Sequence, residues 1–329
     1  MTEPPVAVYI DPEGADVGPA AALLEGSGFR VLIESLHSEH ELIELLGHAQ
    51  PTALLLLVTY LPVTDAVLAA APSLRIVACS SVGFDHIDLE AARRHGVWVT
   101  NVPDAATEEV AASALAMALS LVRHLAFLDR HVRDGGWDYE ATGVPPRLSQ
   151  ITLGVVGMGR IGRRVAAMAG GVFGRVIGCD PMIADADWPT SVPRVDFDTC
   201  LRESRVVSLH LPLSAQTEGI IDARALKRLP QGAYLVNVSR GGLVDAPALL
   251  AALDEGWLAG AALDVTEPEP PTADSALRRH PRILLTPHAA WFSAPASEAY
   301  LMRQAENVTA WWRSGRPQTP VSEPSALSR

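Results

Sequence analysis

Short, continuously apolar runs alternate with helix-length amphipathic segments along the chain. In its first third, VAVYI (6–10), RVLIES (30–35), ALLLLVT (53–59), RIVACS (75–80) and VWVTNV (97–102) read as strands. DVGPAAALLEGSG and DLEAARRHG read as helices, the second with Asp88 as N-cap and Gly96 just past its end. Strands apolar at every position, separated by helices, mean a parallel sheet covered on both faces. Residues 107–133 lack Gly and Pro and open with TEE, so they predict one helix with Thr107 as N-cap and two acids at its positive end. That segment is apolar on nearly all sides as far as Arg123, the pattern of a helix buried in a core or a subunit seam. After the polar stretch DGGWDYEATGVPPRLSQ the alternation resumes with ITLGVV, RVIGCD, VVSLHL, AYLVNV, AGAALDV and RILLT, helices falling between them. Residues 294–313 are helical in pattern and lead into a polar, Pro-containing tail.

At 329 residues the chain exceeds what one core usually supports, so two such α/β units are expected. A hydrophobic content of 48% with 19% charged residues fits a folded globular protein. The net charge of −12 argues against a nucleic-acid surface, which needs clustered cations, and Lys227 is the only lysine. Cys79, Cys179 and Cys200 lie far apart without metal-ligand spacing, so no metal site is expected. The start MTEPPVAVYID lacks a signal peptide's basic opening and cleavage site, and runs such as ALLLLV are too short to cross a bilayer. The expectation is a cytoplasmic protein without membrane contact.

The stretch ITLGVVGMGRIG sets Gly157, Gly159 and Gly162 between a strand end and a helix start. GxGxxG alone is a weak signal. In this context the glycines allow a tight turn, close approach of a pyrophosphate and close helix–strand packing, with Arg160 and Ile161 opening the helix beneath the phosphates. The next strand ends at Asp180, twenty-three residues after Gly157, where a carboxylate binds both ribose hydroxyls and repels a 2′-phosphate. The predicted cofactor is NAD. His210 and Pro212 in SLHLP, and Val238 at the end of AYLVNV, stand at further strand ends near the same cofactor, as lining.

Three other strand ends carry chemistry: Arg240 in NVSRGGLVD, Asp264 and Glu269 in ALDVTEPEP, and His288 in TPHAAWFS. Taken singly, each has a plain explanation as a surface arginine, a loop carboxylate or a packed histidine. Together they supply what reduction of a 2-oxo acid by hydride requires: a fork-shaped cation for the carboxylate, and a proton donor of near-neutral pKa with a carboxylate beside it.

These motifs, with SVGFDHID at 81–88 and NVP at 101–103, resemble the D-isomer-specific 2-hydroxyacid dehydrogenase family. The resemblance runs from about residue 74 to 313 and implies an α/β protein of two doubly wound parallel-sheet domains with a cleft between them. Residues 1–103 with 289–329 would form a flavodoxin-like substrate domain, and 104–288 a Rossmann NAD domain, with hinges near Pro103 and His288. It also implies a catalytic Arg240–Glu269–His288 triad. Arg240 grips the substrate carboxylate, His288 moves the proton and also borders the cofactor, and Glu269 favours protonated His288. Asp264 would hold the nicotinamide carboxamide, and the backbone of Ser81, Val82 and Gly83 the substrate carboxylate. Glu267 is the competing acid in EPEP, but the family's carboxylate falls five residues after the DV aspartate, at 269. Formate-oxidising relatives carry glutamine there. Homodimers through the NAD domain are a further implication.

The tryptophan in HAAW is similar to the C-terminal-binding-protein branch, which includes NAD(H)-binding corepressors. The peptide groove of those proteins lies in the first domain, where the resemblance is weakest, and the long C-terminal extension is absent. An enzyme is therefore preferred over a corepressor-like scaffold with little turnover. Tyr60 in the uncharged loop VTYLPVT and Trp291 suggest a pocket for an apolar or aromatic side chain.

Overall fold

The structure is a computed structural model that describes residues 3–10, 15–57 and 61–324, so Tyr60 lies outside the described residues. It divides into two compact units, Met1–Ala105 with Ser293–Arg329, and Ala106–Phe292.

The first unit opens with β1 (Val6–Ile10), α1 (Gly18–Glu25), β2 (Arg30–Glu34), α2 (Glu39–Ala49), β3 (Ala53–Leu56), α3 (Asp65–Ala70), β4 (Ile76–Cys79), α4 (Leu89–Arg94) and β5 (Trp98–Thr100). Ser38, Thr64 and Asp88 cap α2, α3 and α4, each side chain accepting an amide proton from the first turn. The second unit holds α5 (Thr107–Val122), α6 (Leu125–Arg133), β6 (Thr152–Val156), α7 (Arg160–Ala169), β7 (Arg175–Cys179), α8 (Phe197–Glu203), β8 (Val206–Leu209), α9 (Ala223–Arg228) and β9 (Ala233–Asn237). It continues through α10 (Ala246–Asp254), β10 (Leu258–Leu263), α11 (Ala276–Arg279) and β11 (Ile283–Leu285), and the chain then returns to the first unit as α12 (Ala294–Ser314) and β12 (Pro320–Ser322).

Each unit is a six-stranded sheet, in the orders β12-β5-β4-β3-β1-β2 and β11-β10-β9-β8-β6-β7. All pairings are parallel except β12 with β5. In the second sheet the strand order reverses at β6, where the chain proceeds to β7 on one side and to β8 on the other. Ligands in open α/β sheets bind at such a reversal, beyond the strand C-termini. The central strands β3, β4, β8 and β9 are buried at every residue, as their unbroken apolar runs require.

Three expectations are corrected. Residues 107–133 form two helices, bent by 60°, because His124 takes a left-handed φ of 54°. α5 packs against α7, β9 and β10 and buries Val110, Ala114, Met117 and Leu121, whereas α6 buries none of its residues. The break separates a core helix from a surface helix. The N-cap is Ala106 rather than Thr107, and it makes no side-chain cap bond. The polar tail also adds the antiparallel edge strand β12. Thr319 and Asn307 hold it there: Thr319 N donates to Asn307 Oδ1 at 2.9 Å, and Asn307 Nδ2 donates to the Asn101 carbonyl at 3.4 Å. Gln304, fully buried on α12, donates to the carbonyls of Leu56 and Ala78 at 2.9 and 2.6 Å, tying the helix to β3 and β4. Among the described residues no single helix is long and apolar enough to cross a membrane.

Candidate active site

The glycine-rich turn fits a dinucleotide. Gly157 has φ 94°, and a Cβ there would lie 2.3 Å from the His210 carbonyl oxygen, so no other residue fits the gap between β6 and β8. A Cβ on Gly162 would lie 1.9 Å from the Gly157 carbonyl oxygen, which ties α7 closely to the turn. At Gly159 a Cβ would meet nothing within 4 Å. This residue is the N-cap of α7 and has no side chain to cap the helix. The first turn, with Arg160 and Ile161, therefore presents N–H groups and the positive end of the helix dipole to open space, as a pyrophosphate requires. Asp180 follows β7 directly. Its Oδ2 accepts from Met158 N and its Oδ1 from Met182 N, each at 2.8 Å, so the carboxylate is oriented by the turn itself.

His210 directly follows β8 and lies beside Gly157. Its Nε2 lies 2.8 Å from Ser208 Oγ, while its Nδ1 is buried without a hydrogen-bond partner. Burial pushes the ring down to about 3, so it is neutral across physiological pH. An unpaired buried nitrogen costs about 1–3 kcal/mol unless a ligand satisfies it, which suits a cofactor-lining residue. Pro212 accepts through its carbonyl from Thr217 Oγ1 at 2.7 Å, and Val238 is buried at the end of β9.

Arg240, Glu269 and His288 follow adjacent strands. Arg240 lies three residues beyond β9, Glu269 six beyond β10 and His288 three beyond β11, and these strands are neighbours in the sheet. His288 Nδ1 and Glu269 Oε1 are 2.5 Å apart, with side chains 31% and 39% exposed. The pair therefore meets solvent, and Nε2 is the ring nitrogen left for a substrate. Glu269 Oε2 accepts from Thr266 N at 3.4 Å, which selects it over Glu267 as the partner carboxylate. Arg240 is set by Asn237, whose Nδ2 donates to the Arg240 carbonyl at 2.7 Å and whose Oδ1 accepts from Ser239 N at 3.0 Å. A Cβ on Gly241 would lie 2.0 Å from the Thr266 carbonyl carbon, so the arginine loop and the glutamate loop touch.

Asp264 has a structural task that its motif did not disclose. It is 2% exposed, and its carboxylate accepts from Thr286 Oγ1 at 2.5 Å and from Ala289 N and Ala290 N at 2.9 Å each. Its carbonyl accepts from His288 N at 2.8 Å. Hydrogen bonds to a charged acceptor contribute about 1.5–3 kcal/mol each, more than enough to hold His288 at its left-handed φ of 53°. Trp291 is half-buried and meets Phe292 edge-on, with centroids 5.4 Å apart. In the first unit, Ser81 Oγ donates to the Gly83 carbonyl at 2.6 Å, and the Val82 carbonyl accepts from Asn101 Nδ2 at 2.7 Å. Those bonds shape the loop after β4. Among the described residues there is no cluster of metal-ligating side chains.

Residues 115–290 match the family model described as D-isomer specific 2-hydroxyacid dehydrogenase, NAD binding domain. The chain is 39% identical over 273 residues to a glyoxylate reductase of Korarchaeum cryptofilum, covering 80% of each protein. It is similar to the crystal structure of a glyoxylate reductase from Paecilomyes thermophila, with a TM-score of 0.88 and 26% identity over 98% of this chain and 99% of that one. It also resembles a D-lactate dehydrogenase of Aquifex aeolicus complexed with NAD and lactic acid, at a TM-score of 0.83 and 27% identity over 97% and 100% of the two chains. The chain belongs to the D-isomer specific 2-hydroxyacid dehydrogenase family and is an NAD-dependent oxidoreductase acting on the CH–OH group of 2-hydroxy acids.

Proposed function

We propose that the protein interconverts 2-oxo acids and D-2-hydroxy acids through an Arg240–Glu269–His288 triad. The carrying observation is the 2.5 Å contact of His288 Nδ1 with Glu269, at the ends of the adjacent strands β11 and β10, with Arg240 beyond the next strand, β9. The glycine turn at 157–162 and Asp180 would hold NADH, which when bound would supply the hydride. The Arg240 guanidinium binds the substrate carboxylate and polarises the carbonyl. His288 Nε2 gives its proton to the carbonyl oxygen, and Glu269 steadies the ring and its charge. In the reverse direction His288 removes the hydroxyl proton. Asp264 is assigned both to the nicotinamide carboxamide and to the His288 loop.

Trp291 supports a pocket for an apolar or aromatic substrate side chain, although the relatives named above are called glyoxylate reductase and D-lactate dehydrogenase. A panel of glyoxylate, pyruvate, phenylpyruvate and oxaloacetate, read by NADH loss, tests both parts. Phenylpyruvate is expected to exceed oxaloacetate in kcat/KM; the opposite order removes the apolar pocket. NADH binding without turnover of any acid would favour the second reading, a corepressor-like scaffold, for which the HAAW pattern at Trp291 speaks.

A homodimer formed through the NAD-binding unit is also part of the proposal. Six large apolar side chains within residues 125–144 are exposed: Leu125 56%, Phe127 38%, Val132 45%, Trp137 89%, Tyr139 86% and Val144 95%. Concentrated in α6 and the segment after it, they form the kind of surface that a partner covers. Light scattering should give twice the chain mass of 35.0 kDa, and Trp137→Glu with Val144→Glu should give monomer. A wild-type monomer at micromolar concentration would remove this part.

A further inference from the structure

An arginine shortly after the ribose acid of a dinucleotide site usually signals a receptor for a 2′-phosphate. Arg194, fourteen residues after Asp180, is such an arginine, and its contacts argue for the opposite role.

Residues 193–195 lie alongside the edge strand β7: Gly178 N donates to the Pro193 carbonyl at 3.1 Å, and Val195 N to the Gly178 carbonyl at 3.0 Å. This alignment sends the Arg194 side chain back into the loop that follows Asp180. Its Nη2 donates to the carbonyls of Asp180 and Ile183, each at 2.9 Å, and its Nη1 to Asp185 Oδ1. The guanidinium carbon sits 4.6 Å from the centroid of the Trp188 ring. Trp188 is itself fixed, because its Nε1 donates to the Val192 carbonyl at 2.8 Å and a Cβ on Gly178 would lie 3.2 Å from its Cζ2. From the other side Arg163 of α7 donates to the Asp187 carbonyl at 3.2 Å. The Asp185 side chain is 98% exposed, so that ion pair adds little; the two carbonyl bonds and the aromatic face hold the arginine.

We infer that Arg194 is a positioning residue for adenosine-ribose recognition, clamping the backbone of Asp180 and the loop at 181–188 so that the Asp180 carboxylate is presented preformed to the two ribose hydroxyls. Its Nη2 is committed to two protein carbonyls and its Nη1 to Asp185, and the Asp180 carboxylate it orients repels a 2′-phosphate. The arginine thus supports NAD selectivity. A lysine in its place keeps the charge but cannot bridge two carbonyls and stack on a ring at once. The inference rests on the NAD site described above and goes on to which of this chain's residues makes that site selective.

The test is direct titration of NADH and NADPH, by cofactor fluorescence, into wild type, Arg194→Gln and Arg194→Lys, with steady-state kinetics alongside. Arg194→Gln should weaken NADH binding about tenfold and leave NADPH binding unchanged or tighter, since a preformed site loses affinity when binding must order it. Arg194→Lys should recover less than half of that loss on a logarithmic scale. KM for NADH should rise in parallel while kcat at saturating NADH stays within about twofold, because the clamp lies at the adenosine end; a general folding defect would lower kcat as well. Weakened NADPH binding with NADH unchanged would make Arg194 a phosphate receptor and overturn the inference, as would unchanged affinities for both. If Arg194→Gln does not fold, Trp188→Leu, which removes only the aromatic face, should show the same selective loss of NADH, and its failure to do so would be equally decisive. Absence of NADH binding by the wild-type protein would instead strike the cofactor site itself.

Discussion

His288→Asn is expected to lower kcat for 2-oxo acid reduction by about 10³-fold, within the roughly 10²–10⁴-fold that a positioned proton donor supplies. Asparagine is the informative replacement because His288 sits at φ 53°, a conformation asparagine tolerates better than most residues, so the loop can be kept while the proton donor is lost. Asp264 would still accept from the backbone N–H groups at 289 and 290, which do not depend on the histidine ring. NADH affinity should therefore change by less than about threefold in a fluorescence titration. Glu269→Gln is expected to lose less, about 10–100-fold, because the amide can still hydrogen-bond the ring but no longer carries the charge that steadies its protonated form. A His288→Asn enzyme that retains more than a tenth of the wild-type kcat would show that the proton comes from elsewhere.

The parts of this architecture legible in the sequence were those set locally. Unbroken apolar runs such as AYLVN at β9 gave buried parallel strands, because a strand covered on both faces has no polar side to show. The order of strand ends then brought Arg240, Glu269 and His288 to one edge of one sheet. Motif spacing singled out Glu269 over Glu267, and in the structure Glu269 hydrogen-bonds His288. What stayed hidden was set by tertiary contact. Nothing in VRHLAF marks the break at His124, since neither Gly nor Pro is present and the change is from a face packed on β9 and β10 to one that buries nothing. β12 has no hydrophobic signature of its own, and its pairing depends on Asn307, Thr319 and Asn101 meeting from distant parts of the chain. Asp264 reads as a ligand-binding acid in ALDV, but its bonds to Ala289 and Ala290 cross twenty-five and twenty-six positions. The Arg194 clamp is similar: its acceptors are backbone carbonyls, to which any sequence contributes.

Arg240→Ala should produce the largest loss, about 10³–10⁴-fold in kcat/KM, or about 4–5.5 kcal/mol at 1.36 kcal/mol per decade. One side chain is assigned two tasks, binding the carboxylate in the ground state and stabilising charge on the carbonyl oxygen in the transition state, so KM should rise and kcat fall together. Arg240→Lys separates the tasks. It keeps a positive charge but loses the planar fork, and it should recover part of kcat while KM stays high. The matching control is Lys227→Ala. Lys227 lies on α9, pairs with Glu255 at 2.5 Å, is 53% exposed and stands 4.9 Å from the ring of Trp257, which precedes β10, whereas Arg240, Glu269 and His288 follow their strands. Its loss should leave kcat/KM within about twofold and stability within about 1 kcal/mol, the scale of an exposed ion pair. Equal effects of Arg240→Ala and Lys227→Ala would mean that general electrostatic attraction of an anionic substrate, rather than a fork at the end of β9, governs the rate. The salt dependence of the two variants distinguishes these. A bound fork contact persists at 0.5 M salt, where the Debye length is only about 4 Å, whereas long-range attraction does not.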